Sequence, residues 1–187
     1  MRIIWLLILM LSHLSFANIQ WTVSGISNDG TIITSITQTL NDGWHTYWKN
    51  PGDSGAKASI SIHEASVISK GLIFPKPSVI TKKPFITYGY DSQLTYLLPI
   101  TIPDTITTIN ATFYWLECAE LCIQKSQEIT LTAPKNPPPL IASPTPPNHT
   151  ISVHNFNKKM SIMISGIVTQ AEFFPYDNNY IDETKTS

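Results

Sequence analysis

Charge is scarce in this sequence. Only 13% of its 187 residues are Asp, Glu, Lys or Arg, 12 basic against 13 acidic for a formal net charge of −1, where soluble domains typically carry about a quarter. No basic cluster stands out, which argues against a nucleic-acid binder and against a protein drawn to anionic membrane surfaces. Long apolar runs are missing too. Outside the N-terminal segment no stretch approaches the length that spans a bilayer. No internal repeat and no glycine-rich phosphate loop is present. Cysteine is down to two residues, Cys118 and Cys122, too few for a disulfide scaffold in a chain of this length. The polarity comes instead from Thr, Ser and Asn, which suit strands and turns.

The N-terminal apolar run covers residues 3–14, behind Met1-Arg2 and ahead of Ser15-Phe16-Ala17, with small residues at the two positions a signal peptidase reads. It is too short for a membrane span and reads as a secretory signal peptide, residues 1–17. The mature chain is expected to begin near Asn18, outside the cytoplasm and with no membrane span after cleavage. That location sets the state of the cysteines, since an isolated pair in an oxidising space forms a disulfide unless something keeps reducing it. One bridge either staples a loop or works as a redox couple.

Removing the signal leaves roughly 170 residues, enough for one domain with a good core and an appendage. Residues 19–27 and 31–40 read as strands joined by Asn28-Asp29-Gly30, a hairpin connection. In the second of them Ile32, Ile36 and Leu40 share a face with Thr34 and Gln38, the pattern of a half-buried strand near an edge. A short aromatic strand then runs into a turn rich in Gly, Pro, Asp and Asn, and residues 58–69 resume strand character. Residues 76–90 are expected as a loop. Leu94, Tyr96, Leu98, Ile100 and Ile102 alternate most cleanly, with Pro99 on the other face suggesting an edge or a bulge. Strands at 108–116 and 126–133 complete about seven, without a helical stripe, which is the pattern of an all-β sandwich. The first domain is expected over residues 18–133. Seven of the fourteen residues at 134–147 are proline, a semi-rigid linker. Beyond it, residues 151–153 and 160–170 read as strands of a short β tail, 148–187, too small to bury a core alone.

The chemistry concentrates at Tyr114-Trp115-Leu116-Glu117-Cys118-Ala119-Glu120-Leu121-Cys122-Ile123-Gln124. A structural disulfide and an exchanging one both fit the pair. The short spacing argues somewhat against stapling, because closing so small a loop removes little unfolded-state entropy, and tight or exposed bridges exchange more readily. Glu117 and Glu120 flank the pair and Lys125 is the nearest base, so ordinary or raised thiol pKa values are expected. A metal site needs more than two thiolates, and His45, His63, His149 and His154 offer no matched pair in the same loop; a soft cuprous site on the two cysteines ranks third. A Cys/His hydrolase carries little weight, because the second cysteine would trap the nucleophile. Trp44, Tyr47, Trp48 and Trp115 are expected in packing, and His45 as a packed or surface residue. The segment Lys82-Lys83-Pro84-Phe85-Ile86-Thr87-Tyr88-Gly89-Tyr90 has three aromatics without strand alternation, which fits core anchoring or a lid over the cysteines.

Three stretches in order carry a resemblance: Gly43-Trp44-His45-Thr46-Tyr47-Trp48-Lys49-Asn50-Pro51-Gly52-Asp53-Ser54-Gly55, then Phe74-Pro75 with Tyr88-Gly89-Tyr90, then Trp115-Leu116-Glu117-Cys118-Ala119-Glu120-Leu121-Cys122-Ile123. Together they resemble the N-terminal periplasmic region of the DsbD family of thiol-disulfide interchange proteins, in particular its copper-suppressor branch, ScsB. The likeness covers residues from about 21 to 131. It implies a periplasmic, immunoglobulin-like β-sandwich. In it, Cys118 and Cys122 relay reducing equivalents from a transmembrane thiol reductase to periplasmic disulfide-containing proteins, with no cofactor and no metal. It further implies a cap loop at Phe85, Tyr88 and Tyr90, and a link to copper tolerance. The family's membrane-spanning reductase and thioredoxin-like domain are not in this sequence, so the chain is expected to depend on a separate electron donor. Ala171-Glu172-Phe173-Phe174-Pro175 resembles the start of that branch's second periplasmic domain, which makes the tail the opening of an incomplete second β domain. The competing reading is a non-enzymatic interaction or copper-handling module with a structural disulfide.

Overall fold

The computed structural model describes residues 18–82, 85–140, 149–156 and 159–166. The expected signal peptide and the stretch 171–175 lie outside them. Among the described residues every regular element is a strand: β1 (Asn18–Ile26), β2 (Ile32–Thr39), β3 (Thr46–Gly52), β4 (Ser59–Ile62), β5 (Ile68–Ser69), β6 (Ser78–Lys82), β7 (Phe85–Tyr90), β8 (Leu94–Thr101), β9 (Thr108–Cys118), β10 (Cys122–Thr132), β11 (His149–Phe156) and β12 (Lys159–Gly166).

Two sheets build the sandwich, one ordered β1-β2-β8-β5 and the other β10-β9-β4, and a third ordered β3-β7-β6 adjoins them. All their pairings are antiparallel. This is an immunoglobulin-like β-sandwich. Alternation along β8 and β9 sends Tyr96, Leu98 and Ile100 from one sheet, and Ile109, Ala111 and Phe113 from the other, into a core where none is accessible. An aromatic chain ties the layers together, Phe74 to Tyr96 at 5.2 Å, Tyr96 to Phe113 at 5.5 Å and Phe113 to Trp115 at 5.6 Å between ring centroids. Contacts of this kind add to the area effect of burying large rings.

The mixed face of β2 is buried along its whole length, Thr34 and Gln38 included, because its polar members find partners. Trp21 Nε1 donates to Thr34 Oγ1 (2.8 Å), and Thr34 Oγ1 donates to the Leu98 carbonyl (2.9 Å). β2 is paired on both sides, by β1 and β8. A polar group buried with its hydrogen bonds made costs little.

Three expectations change. Residues 58–69 form two strands rather than one, β4 pairing with β9 and β5 with β8, so the chain crosses between sheets there. The loop expected at 76–90 contains the hairpin β6/β7, in register from Ser78↔Gly89 to Lys82↔Phe85. Its second strand hid from the period-2 pattern because it lies between β3 and β6, and Thr87, Tyr88, Gly89 and Tyr90 are all buried. The strands at the cysteines run further than expected, β9 and β10 reaching the two sulfurs themselves. In the tail, β11 and β12 pair from His149↔Gly166 to Phe156↔Lys159.

After β10 the proline-rich segment returns to β1. Ile26 N–H donates to the Pro138 carbonyl (2.8 Å) and Leu140 N–H to the Ile26 carbonyl (3.0 Å).

Candidate functional site

β9 and β10 form one long hairpin whose closing cross-strand pair is Cys118↔Cys122. The two are disulfide-bonded, with Cα atoms 4.0 Å apart, and Ala119, Glu120 and Leu121 make the tip. The sulfurs stand in unequal surroundings. Cys118 is 2% exposed, whereas Cys122 is exposed, flanked by Leu121 at 77% and Ile123 at 45% exposure.

The element that buries Cys118 is the aromatic stretch leading into β3. His45 and Cys118 exchange two backbone hydrogen bonds, each 2.9 Å, and Thr46 Oγ1 donates to the Leu116 carbonyl (2.9 Å). This stitching brings Tyr47 over the bridge, where its hydroxyl donates to Cys118 Sγ at 2.8 Å and lies 3.6 Å from Cys122 Sγ. The His45 ring packs edge-on against Tyr47, centroids 5.4 Å apart. Burial raises the Tyr47 pKa above the ordinary phenol value, so the hydroxyl keeps its proton and remains a donor at neutral pH.

Gly55 explains part of the glycine-rich turn that follows. It has φ +106°, and a Cβ there would fall 2.2 Å from the Tyr47 ring. Only glycine accepts both that backbone and that contact. Asp53 ties the same turn to β7, its carboxylate accepting from Ile86 N–H (2.8 Å) while Asp53 N–H donates to the Ile86 carbonyl (3.0 Å).

On the opposite face of the hairpin, Glu117 is fully buried. Its carboxylate accepts from Trp115 Nε1 (2.6 Å) and Gln38 Nε2 (3.3 Å) and pairs with Lys125. Gln38 Oε1 in turn accepts from the Tyr96 hydroxyl (3.1 Å), and Lys125 Nζ lies 5.3 Å from the Trp44 ring. The acid that read from sequence as a neighbour of the thiols is instead the hub of a polar clamp joining β9, β10 and β2.

Of the residues singled out from sequence, the structure brings Cys118 and Cys122 together. Tyr88 packs edge-on to Trp48 at 6.5 Å, and the Tyr90 hydroxyl donates to the Pro75 carbonyl (2.7 Å). Phe85 is half exposed, 51%, at the turn end of β7. Trp48 and Trp115 are packing residues as expected, and His45 is buried. The aromatic residue that reaches sulfur is Tyr47, which sequence reasoning assigned to packing. Among the described residues, no group of three or more His, Cys, Asp or Glu is placed to hold a metal ion.

The disulfide thus joins a buried cysteine to an exposed one beneath the Tyr47 hydroxyl. The family described as "Thiol:disulfide interchange protein DsbD, N-terminal" matches residues 17–134. The chain belongs to that family. Among solved structures, the N-terminal periplasmic domain of ScsB from Proteus mirabilis is 19% identical, with a TM-score of 0.53 over 77% of this chain and 61% of that one. The DsbD N-terminal domain of Neisseria meningitidis, in its reduced form, is 12% identical with a TM-score of 0.44 over 63% of this chain and 86% of that one. No match is found among curated proteins. This DsbD N-terminal family member thus spans less than two thirds of the Proteus domain's length.

Proposed function

We propose that this protein is a periplasmic thiol-disulfide exchange protein that relays reducing equivalents from a membrane thiol reductase to disulfide-containing target proteins. Cys118 and Cys122 are the redox pair. The observation that carries this reading is the asymmetry of the bridge, Cys122 exposed at the hairpin tip and Cys118 buried under a hydrogen-bond donor. Membership of the DsbD N-terminal family and the periplasmic ScsB neighbour support the location and the partner class.

Accessibility orders the steps. The reductase thiolate attacks Cys122 Sγ, forming a mixed disulfide, and the electron pair of the old S–S bond leaves on Cys118 Sγ. The Tyr47 hydroxyl stabilises that leaving thiolate, since a hydrogen bond to a charged acceptor is stronger than one to a neutral atom. If the reductase fails to resolve the mixed disulfide with its own second thiol, Cys118 attacks Cys122 Sγ, expels the reductase thiolate and restores the starting bridge. Resolution by the reductase leaves Cys118 and Cys122 as two thiols and the reductase as a disulfide. In the second half of the cycle Cys122 attacks a target disulfide and Cys118 displaces the reduced target. The β6/β7 hairpin, with Phe85 at its exposed end and β7 paired to the strand that carries Tyr47, is the proposed cap over the pair.

Single-cysteine variants test the order. Cys118→Ser is expected to accumulate a stable mixed disulfide through Cys122, while Cys122→Ser accumulates little, because its remaining thiol is buried. Equal trapping by both variants, or by neither, contradicts the assignment.

A further inference from the structure

The redox pair stands at the end of an open sheet edge, and two hydrogen bonds fix how that edge is aimed. Cys118 N–H donates to the His45 carbonyl and the Cys118 carbonyl accepts from His45 N–H, both at 2.9 Å. In an antiparallel ladder the N–H and C=O of one residue point to the same side, so Cys118 turns both away from β10. Its partner Cys122 therefore sits in a non-hydrogen-bonded pair and aims its own N–H and C=O away from β9. Alternation repeats this at Gln124 and Ser126, opposite Leu116 and Tyr114. The far end of β9 keeps the same phase, the Asn110 carbonyl accepting from His63 N–H (2.9 Å) on the side away from β10.

β10 is the outer strand of its sheet. Its later half is flanked by β1, with Gln127 Nε2 donating to the Ile19 carbonyl (3.2 Å). β1 begins at Asn18. Among the described residues, no strand or bridge pairs with the edge from Cys122 to Ser126, where Cys122, Ile123, Gln124 and Ser126 are exposed.

Displacement at sulfur is in line, the thiolate entering opposite the sulfur that leaves. Here the leaving sulfur is on β9 and the attacked one on β10, so the line of entry comes from beyond β10, across the open edge. A disulfide holds its two Cα atoms roughly 4.4–6.8 Å apart, and adjacent antiparallel strands hold opposite Cα atoms at roughly 4.5–5.5 Å. A partner cysteine bonded to Cys122 thus stands where a residue of an added strand stands.

We infer that the Cys122–Ser126 edge of β10 is a strand-addition site for an extended, cysteine-bearing segment of the redox partner. The inference rests on the exchange role proposed above and names how that site recognises its partner. Main-chain pairing with Cys122, Gln124 and Ser126 supplies the affinity, and exposed Leu121 and Ile123 supply apolar contact. The partner thiolate is the reductant: its bond to Cys122 Sγ forms as the Cys118–Cys122 bond breaks.

The test uses the oxidised full chain and three thiols: glutathione, a capped nine-residue peptide with a central cysteine among threonines and valines, and the same peptide N-methylated on the residues two and four positions before cysteine, whose N–H groups face Gln124 and Ser126 in an antiparallel added strand. The unmodified peptide is expected to form the mixed disulfide about tenfold faster than its N-methylated twin, as two main-chain hydrogen bonds imply. Gln124→Pro, which removes an outward N–H and leaves the β9 ladder intact, is expected to narrow that gap without changing the glutathione rate. Amide exchange at Gln124 and Ser126 is expected to slow in the peptide adduct. Equal rates for the two peptides, with the disulfide still reduced, overturn strand addition and leave the exchange role standing. Reduction by none of the three thiols overturns both. Slow amide exchange at Gln124 in the unreacted chain means that a second copy or the chain itself covers the edge, and also overturns the inference.

Discussion

A phenol hydroxyl lies 2.8 Å from one sulfur of the disulfide and 3.6 Å from the other, and in the proposed exchange the nearer sulfur leaves as thiolate. Tyr47→Phe keeps the ring and removes the donor, so the fold is expected to persist while reduction slows about tenfold or more, the worth of a hydrogen bond to a charged group. Stopped-flow reduction by a dithiol, alongside a urea unfolding curve, separates the two effects. Gly55→Ala is expected to act on the same site through packing, because the added methyl meets the Tyr47 ring at 2.2 Å on a backbone at φ +106°. Loss of both stability and reactivity in that variant, against loss of reactivity alone in Tyr47→Phe, is the expected contrast. The cysteines were legible in the sequence because they are the only two and close an apolar run. Tyr47 was not, since it lies 71 positions from Cys118 and stands among other aromatics whose ordinary role is packing.

At the level of elements, β8 and β9 could be read directly, because buried and exposed residues alternate along much of each. β7 could not. With neighbours on both sides it buries four residues in succession, which reads in sequence as an aromatic loop. β2 read as a half-buried strand near an edge and is one, with one face buried beside the outer strand β1; what sequence did not show is that Trp21, Tyr96 and Glu117 meet its Thr34 and Gln38. The Glu117 clamp joins three strands, so Glu117→Ala is expected to cost about 3 kcal/mol or more by leaving buried donors and the Lys125 charge unanswered, read from urea midpoints. The buried tyrosines give the fold an alkaline limit. Burial raises the pKa of Tyr47, Tyr90 and Tyr96, whereas in the unfolded chain each ionises near 10. The folded state therefore holds more protons above that value. Stability is expected to be flat below about pH 9 and to fall beyond about pH 10; an unchanged urea midpoint at about pH 11 contradicts this.

Over the whole molecule, the all-β class and the family were legible from strand patterning and three ordered motifs. The path of residues 137–140 was not, because proline composition reports stiffness and says nothing of where the chain docks. The two hydrogen bonds to Ile26 predict that residues 18–140 are more stable than residues 18–133 by about 1–2 kcal/mol, measurable by urea unfolding of the two fragments. We propose residues 18–133 as the exchange domain and 134–147 as its linker. The central claim is that the Cys118–Cys122 bridge exchanges rather than staples. Its most direct test is the reduction potential of the couple in thiol buffers, read by alkylation mass shift. The exchange role predicts a value above about −250 mV, among couples that trade electrons with oxidoreductases; a value below roughly −300 mV, where structural disulfides lie, contradicts it.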